Sequence, residues 1–296
     1  MIAIDWGTSS LRGARLDAHG RVLEEKQTPL GILNVPAGEF PAVFQTHFGD
    51  WWQQEKLCLM SGMVGSQQGW QVAPYCPCPA GWDDLAAALH WIKPGRLAIV
   101  PGLSCNTHHG AHTWSTPPDV MRGEEVQVLG ALLTLGLQDA TLVLPGTHSK
   151  WVTVRDRRIQ HFSTYMTGEF YQLLRHHSLL ARTLPQTEGD PDSEAFEQGV
   201  SRALAGGGLL HNAFGTRTLA LFECVPATRL TDYLSGLVIG EEVRQQAATV
   251  EGPLWIIGAN SLTSRYQQAL SLAGLPARVA PGQASWQALW HLYKSL

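Results

Sequence analysis

The sequence predicts an α/β protein of two related domains, and three observations carry that expectation. Its 296 residues exceed what one small core organises. A unit of three short strands in a meander occurs twice, and each copy carries a Gly-Thr-x-Ser stretch at its first turn. Apolar positions at helical spacing follow both units, the mixture that builds sheets flanked by helices.

The first unit covers 2–6, 11–16 and 21–27, where apolar and polar residues alternate and Asp17-Ala18-His19-Gly20 supplies a turn. The second covers 141–144, 151–154 and 158–163, with Arg155-Asp156-Arg157 at its second turn. Helices are expected at 124–137, 168–177, 192–204, 231–248, 261–273 and 283–296, from spaced apolar residues and N-terminal Ser, Thr or Asp. The run Gly206-Gly207-Gly208 reads as a loop between helices. An irregular stretch at 116–119 places the domain boundary near Pro117, giving an N-terminal domain at 1–117 and a C-terminal domain at 118–296 with the ligand between them.

Composition narrows the function classes. With 44% hydrophobic and 16% charged residues the chain folds into packed cores and is not disordered. A net charge of −4 without a basic run argues against nucleic acid and anionic membranes as partners. No apolar stretch approaches the roughly 18 residues that span a bilayer, and no export signal opens the chain. Five cysteines without framework spacing read as reduced thiols, so a cytoplasmic location is expected.

The two turns carry the chemistry. Gly7, Thr8, Ser9 and Ser10 in one copy, and Gly146, Thr147, His148 and Ser149 in the other, offer backbone N–H groups and hydroxyls to a phosphate without bulk in the way. Asp5 stands before the first turn, where a carboxylate can hold Mg²⁺ through water. Arg12 and Lys150 are cations placed to offset phosphate charge, or else solvated residues on strand edges. Glu124 and Glu125 open a helix, where the dipole stabilises an anion whether or not it has a catalytic task. His108, His109 and His112 with Cys76 and Cys78 raise a zinc hydrolase as a rival. Cys-x-Cys spacing and the lack of a His-Glu-x-x-His helix count against it.

Asp5-Trp6-Gly7-Thr8-Ser9-Ser10, Pro145-Gly146-Thr147-His148-Ser149 and Ile256-Ile257-Gly258-Ala259-Asn260, in that order, resemble the two phosphate motifs and the adenosine motif of the actin-like ATPase superfamily. That resemblance implies two actin-like, ribonuclease H-like domains with an interdomain cleft, and ATP with Mg²⁺ as cofactors. The third motif departs from the pattern, having Gly258-Ala259 where two adjacent glycines are usual. Arg122-Gly123-Glu124-Glu125 resembles the helix-opening segment that supplies the general base in glycerol kinase-like enzymes, which implies Glu124 as base and Glu125 as its nearest rival.

Together with Ser61 to Trp70, Pro101-Gly102-Leu103, Leu144 to Trp151 and Thr164 to Glu169, these stretches resemble the 2-dehydro-3-deoxygalactonokinase family over nearly the whole chain. The resemblance implies ATP-dependent phosphorylation of the terminal (6-) hydroxyl of 2-dehydro-3-deoxy-D-galactonate in galactonate breakdown. Partners are then ATP and a small sugar acid, in a chain compatible with a homo-oligomer. Such a keto acid needs a carboxylate clamp, hydroxyl partners and apolar walls. Ser61, Gln67, Trp70, Asn106, His108 and Arg122, with Lys150, are the candidates. An actin- or Hsp70-like ATP switch without a sugar substrate is the alternative that fold alone leaves open.

Overall fold

The computed structural model describes residues 1–105, 117–187, 190–258, 260–282 and 284–296, with the side chain of Asn260 left aside. Asn106, His108 and Ala259, expected at the site, lie outside the described residues, as do His109 and His112. Compactness divides the chain into two units. One holds 1–139, 153–162 and 281–296; the other holds 140–152 and 163–280.

In the first unit the strands are β1 (Ile2–Trp6), β2 (Leu11–Leu16), β3 (Val22–Thr28), β4 (Cys58–Ser61), β5 (Tyr75–Pro77), β6 (His90–Lys93), β7 (Leu97–Ile99), β8 (Gly102–Cys105) and β9 (Asp119–Met121). The helices are α1 (Phe40–Gln54), α2 (Trp82–Ala87) and α3 (Glu124–Leu135). The main sheet orders its strands β3-β2-β1-β4-β7-β6, and β5-β8-β9 form a small second sheet. β1 runs antiparallel to β2 and parallel to β4, so it is central, and Ile2, Ala3, Ile4 and Trp6 are fully buried on both faces. β3 forms the edge, where exposed Glu24 and Glu25 and half-buried Lys26 discourage pairing with another chain. α1 closes the core with Phe40, Phe44, Phe48 and Trp51, one buried residue per turn.

Strands β10 (Ala140–Leu144), β11 (Ser149–Arg155) and β12 (Arg158–Tyr165) begin the second copy. There follow α4 (Thr167–His177), α5 (Ser193–Leu204), α6 (Leu209–Leu221), α7 (Leu230–Gln246), β13 (Leu254–Ile256), α8 (Asn260–Leu272) and β14 (Ala277–Val279), and α9 (Ala284–Lys294) ends the chain. The five-stranded sheet orders its strands β12-β11-β10-β13-β14, with β10, β13 and β14 parallel. With β5 and β6 set aside, β3-β2-β1-β4-β7 and β12-β11-β10-β13-β14 follow the same order, third-second-first-fourth-fifth, and β6 is an added edge strand of the first sheet. The duplication read from two short turns therefore extends to five strands of each sheet. α7 is buried on every side from Leu230 to Val243, while α5 lays Phe196 and Val200 into the core with Val143, Ile239 and Ile256.

Most expected elements lie within two or three residues of their sequence positions. One difference touches the site: β11 begins at Ser149, two residues before the expected strand, because Ser149 and Lys150 are both buried. The second turn is thus shorter than the four residues assigned to it. All five cysteines are free thiols. Among the described residues no helix is long and apolar enough to cross a membrane.

Candidate active site

In the first unit, parallel pairing sets Asp5 beside Ser61, so β1 and β4 end side by side. Asp5 also faces Arg12 across the β1–β2 register, and the two side chains form an ion pair. Arg12 stays partly exposed, with its guanidinium 6.0 Å from the Trp286 ring. The turn between β1 and β2 is closed by a bond from Gly7 N to Ser10 O at 2.9 Å. Its carbonyls are engaged, since Ile32 N donates to Gly7 O and Leu33 N to Thr8 O. The N–H groups of exposed Thr8 and Ser9 donate to no described residue, which suits an anion cradle.

Two glycines bring a helix N-terminus to this corner. Gly62, just after β4, has φ +93°, and a Cβ there would meet Trp6 O at 2.8 Å and Asp5 Oδ1 at 3.3 Å. Gly123, just before α3, has φ +104°, and a Cβ there would meet Gly62 Cα at 3.1 Å. Only residues without side chains permit this stacking at positive φ. Asp5, Gly62, Gly123 and the first turn of α3 therefore adjoin in sequence of contact.

The two glutamates that open α3 differ sharply in setting. Glu124 is half-buried, and its Oε2 accepts from Arg122 N at 2.9 Å. Glu125 is fully buried, and its Oε2 accepts from Gly123 N at 2.7 Å. Burial first, and the neighbouring charge of Glu124 second, push Glu125 up to about 8. Glu125 is thus largely a neutral acid near pH 7, whereas Glu124 remains reachable. Arg122 is buried, with Nη2 donating to Ala73 O at 2.8 Å and the guanidinium stacked 4.4 Å from the Tyr75 ring. Its Nε and Nη1 have no partner among the described residues.

Other expected substrate residues are scattered over the first unit. Ser61 is buried and its hydroxyl donates to Ile4 O at 3.3 Å. Gln67 is exposed, and half-buried Trp70 packs against Trp6 and Phe44. Gln67 and Trp70 both line a cavity of about 420 Å³ near the start of α1. No charged side chain lines it among the described residues.

The second unit repeats the corner with different detail. β10 and β13 run parallel, Ile257 N donates to Val143 O, and Gly258 lies against Pro145. Gly258 and the phosphate turn are thereby neighbours. Gly168 packs so tightly on the turn that a Cβ there would meet Gly146 O at 2.5 Å. Glu169 N donates to Thr147 O, and His148 Nε2 sits 2.5 Å from Glu169 Oε2. The turn and the N-terminus of α4 form one wall of a cavity of about 410 Å³. Asp232 and Ser235 of α7 and Ser261, Arg265 and Tyr266 of α8 line the rest. Arg265 pairs with Asp232 at 2.5 Å, and Asp232 also accepts from Asp192 N, so this wall is tied into the core.

A model of the 2-keto-3-deoxy-galactonokinase family matches residues 5–292. This chain belongs to that family. The 2-dehydro-3-deoxygalactonokinase of Escherichia coli strain K12 is 36% identical over 290 residues, which cover 97% of this chain and 94% of that relative. A solved structure from Sinorhizobium meliloti bearing the same enzyme name is 31% identical at a TM-score of 0.86, over 100% of this chain and 96% of that one. Component A of (R)-2-hydroxyglutaryl-CoA dehydratase from Acidaminococcus fermentans is 9% identical at a TM-score of 0.56, covering 100% and 98% of the two chains, and shares the fold alone. The α/β, actin-like fold class and the family resemblance expected from sequence both hold.

In this 2-keto-3-deoxy-galactonokinase family member, sequence reasoning missed several residues beside the second turn. Asp232, Arg265 and Tyr266 line the cavity from helices read only as core. Glu242 of α7 is buried behind the turn and accepts hydrogen bonds from Ser149, Trp151, Thr167 and Tyr266. Its one sequence signal is the Glu241-Glu242 pair inside an otherwise apolar helix stretch.

Proposed function

We propose that the chain is a cytoplasmic kinase that transfers the γ-phosphoryl group of ATP to the 6-hydroxyl of 2-dehydro-3-deoxy-D-galactonate in galactonate breakdown. Family membership supports the reaction, and the corner where Asp5, Gly62, Gly123 and Glu124 adjoin is the observation that carries the assignment of roles. Glu124 takes the proton of the acceptor hydroxyl as its oxygen bonds to the γ-phosphorus and ADP leaves. Glu125 is too deeply buried for that task. Asp5, an oxygen donor at the strand end, fits Mg²⁺ held through water, and the ion would supply charge neutralisation at the phosphates.

Phosphates are assigned to the turns at Gly7, Thr8, Ser9 and Ser10, with Arg12, and at Gly146, Thr147, His148 and Ser149. The adenosine end is assigned to Gly258, Ala259 and Asn260. Arg122, the cation that directly precedes Gly123 and Glu124, is assigned to the substrate carboxylate. Ser61, Gln67, Trp70, Asn106, His108 and Lys150 complete the proposed substrate set. A coupled assay of ADP release over a panel of 2-keto-3-deoxy acids and plain hexoses tests the reading. ADP release dependent on the galactonate-derived acid is expected. ATP hydrolysis indifferent to every acid would instead favour a nucleotide-driven switch.

A further inference from the structure

We propose that Glu242 is a positioning residue that holds the second phosphate turn, the start of α4 and the face of α8 in the arrangement that binds ATP. This rests on the reading that the cavity beside Gly146 takes the nucleotide. Glu242 is 2% exposed. Its Oε1 accepts from Ser149 Oγ at 2.7 Å and from Trp151 Nε1 at 2.7 Å. Its Oε2 accepts from Tyr266 Oη at 2.7 Å and from Thr167 Oγ1. One carboxylate therefore ties together three separate elements, β11, α4 and α8.

Two of the four ties end at the cavity wall, and a third ends beside the turn. Ser149 directly follows the turn, Thr167 precedes the Gly168 that packs on Gly146 O, and Thr167 and Tyr266 both line the cavity. Burying a carboxylate opposes folding, and burial raises the pKa of Glu242 despite its four donors. An apolar residue here would avoid that cost but leave four buried donors without a partner. The arrangement makes sense if the value of the carboxylate lies in fixing those donors, because displacement by about 1 Å at a phosphate site can cost on the order of 10²-fold.

Glutamine can keep the same ties: its Oε1 accepts from Trp151 and Ser149, while its Nε2 donates to the hydroxyls of Tyr266 and Thr167. ATP binding by the full chain is measured by calorimetry, alongside the KM for the sugar acid. Glu242→Ala should weaken ATP binding about 10- to 100-fold at a sugar-acid KM within about twofold, while Glu242→Gln stays within about threefold of the unaltered chain. Tyr266→Phe, which removes one tie, should weaken ATP binding about 3- to 10-fold, and this reading stands even if the alanine variant does not fold. A merely structural role would lower the melting temperature without moving ATP affinity. Unchanged ATP binding in folded Glu242→Ala or in Tyr266→Phe overturns the proposal, as does a glutamine variant as weak as the alanine one. ATP binding by the unaltered chain with transfer to some other acceptor would overturn only the substrate reading. No ATP binding at all would overturn both.

Discussion

Replacing Glu125 by Gln should change how stability responds to pH, and the size of the change follows from burial. The carboxyl titrates near 4.5 when solvated and at about 8 in the fold. Below pH 4.5 both states carry the proton, and the folded state bears no charge penalty. Between 4.5 and 8 the unfolded chain ionises while the folded one keeps its proton, so the native state loses about 1.4 kcal/mol per pH unit. The contribution is fully present below 4.5 and has been lost once pH has risen through 8. Across that gap the loss is on the order of 5 kcal/mol. Glutamine is neutral at every pH and keeps an oxygen for Gly123 N, at a pH-independent cost of about 1–3 kcal/mol for its buried amide hydrogens. Urea unfolding followed by tryptophan fluorescence suits the measurement, because among the described residues all tryptophans except Trp151 and Trp255 belong to the first unit. The stability of Glu125→Gln minus that of the unaltered chain should climb steadily from pH 5 to pH 8 and then level. A difference independent of pH would refute both the neutral Glu125 and the argument that excludes it as the base.

Other substitutions separate the proposed roles. Glu124→Gln should lower kcat by roughly 10²–10⁴ with ATP affinity nearly unchanged, and near-normal turnover would remove Glu124 as the base. Arg122→Ala should raise the KM for the sugar acid by about tenfold or more and the KM for ATP much less; equal effects on both would detach it from the carboxylate clamp. Gly168→Ala places a Cβ 2.5 Å from Gly146 O, so the second turn must shift. Its expected signature is an ATP KM raised about tenfold or more, and an unchanged value would show that the turn can yield without consequence.

The six strands of the two meanders were legible because their residues alternate over short runs bounded by turn signals, and they emerged near their true limits, whereas β4 to β9, β13 and β14 were not identified. α1 was not identified, although Phe40, Phe44, Phe48 and Trp51 carry helical spacing. Aromatic residues and Gly49 dilute its helix propensity, and packing on the sheet supplies what propensity lacks. α6 was less legible still. Leu210, Phe214 and Leu221 are exposed while Asn212 and Thr216 are buried, the reverse of the pattern that sequence reading uses. Asn212 tolerates burial because its amide donates to Gly206 O.

The same limit governs the site. Two Glu-Glu pairs occur in helices, Glu124-Glu125 and Glu241-Glu242, and nothing local distinguishes the members of either. Successive helical residues point about 100° apart, so the fold divides each pair. Glu124 is half-buried and Glu125 sealed in, with its proton held; Glu241 meets Arg244 and Gln245 and is held below the usual carboxylate range, while Glu242 is sealed among four donors. The donors to Glu242 come from positions 149, 151, 167 and 266, so no sequence window contains the network. Motifs could be read because backbone turns need particular residues at adjacent positions. The roles of the carboxylates depend on burial and on distant partners, which exist only once the sheets have brought their strand ends together.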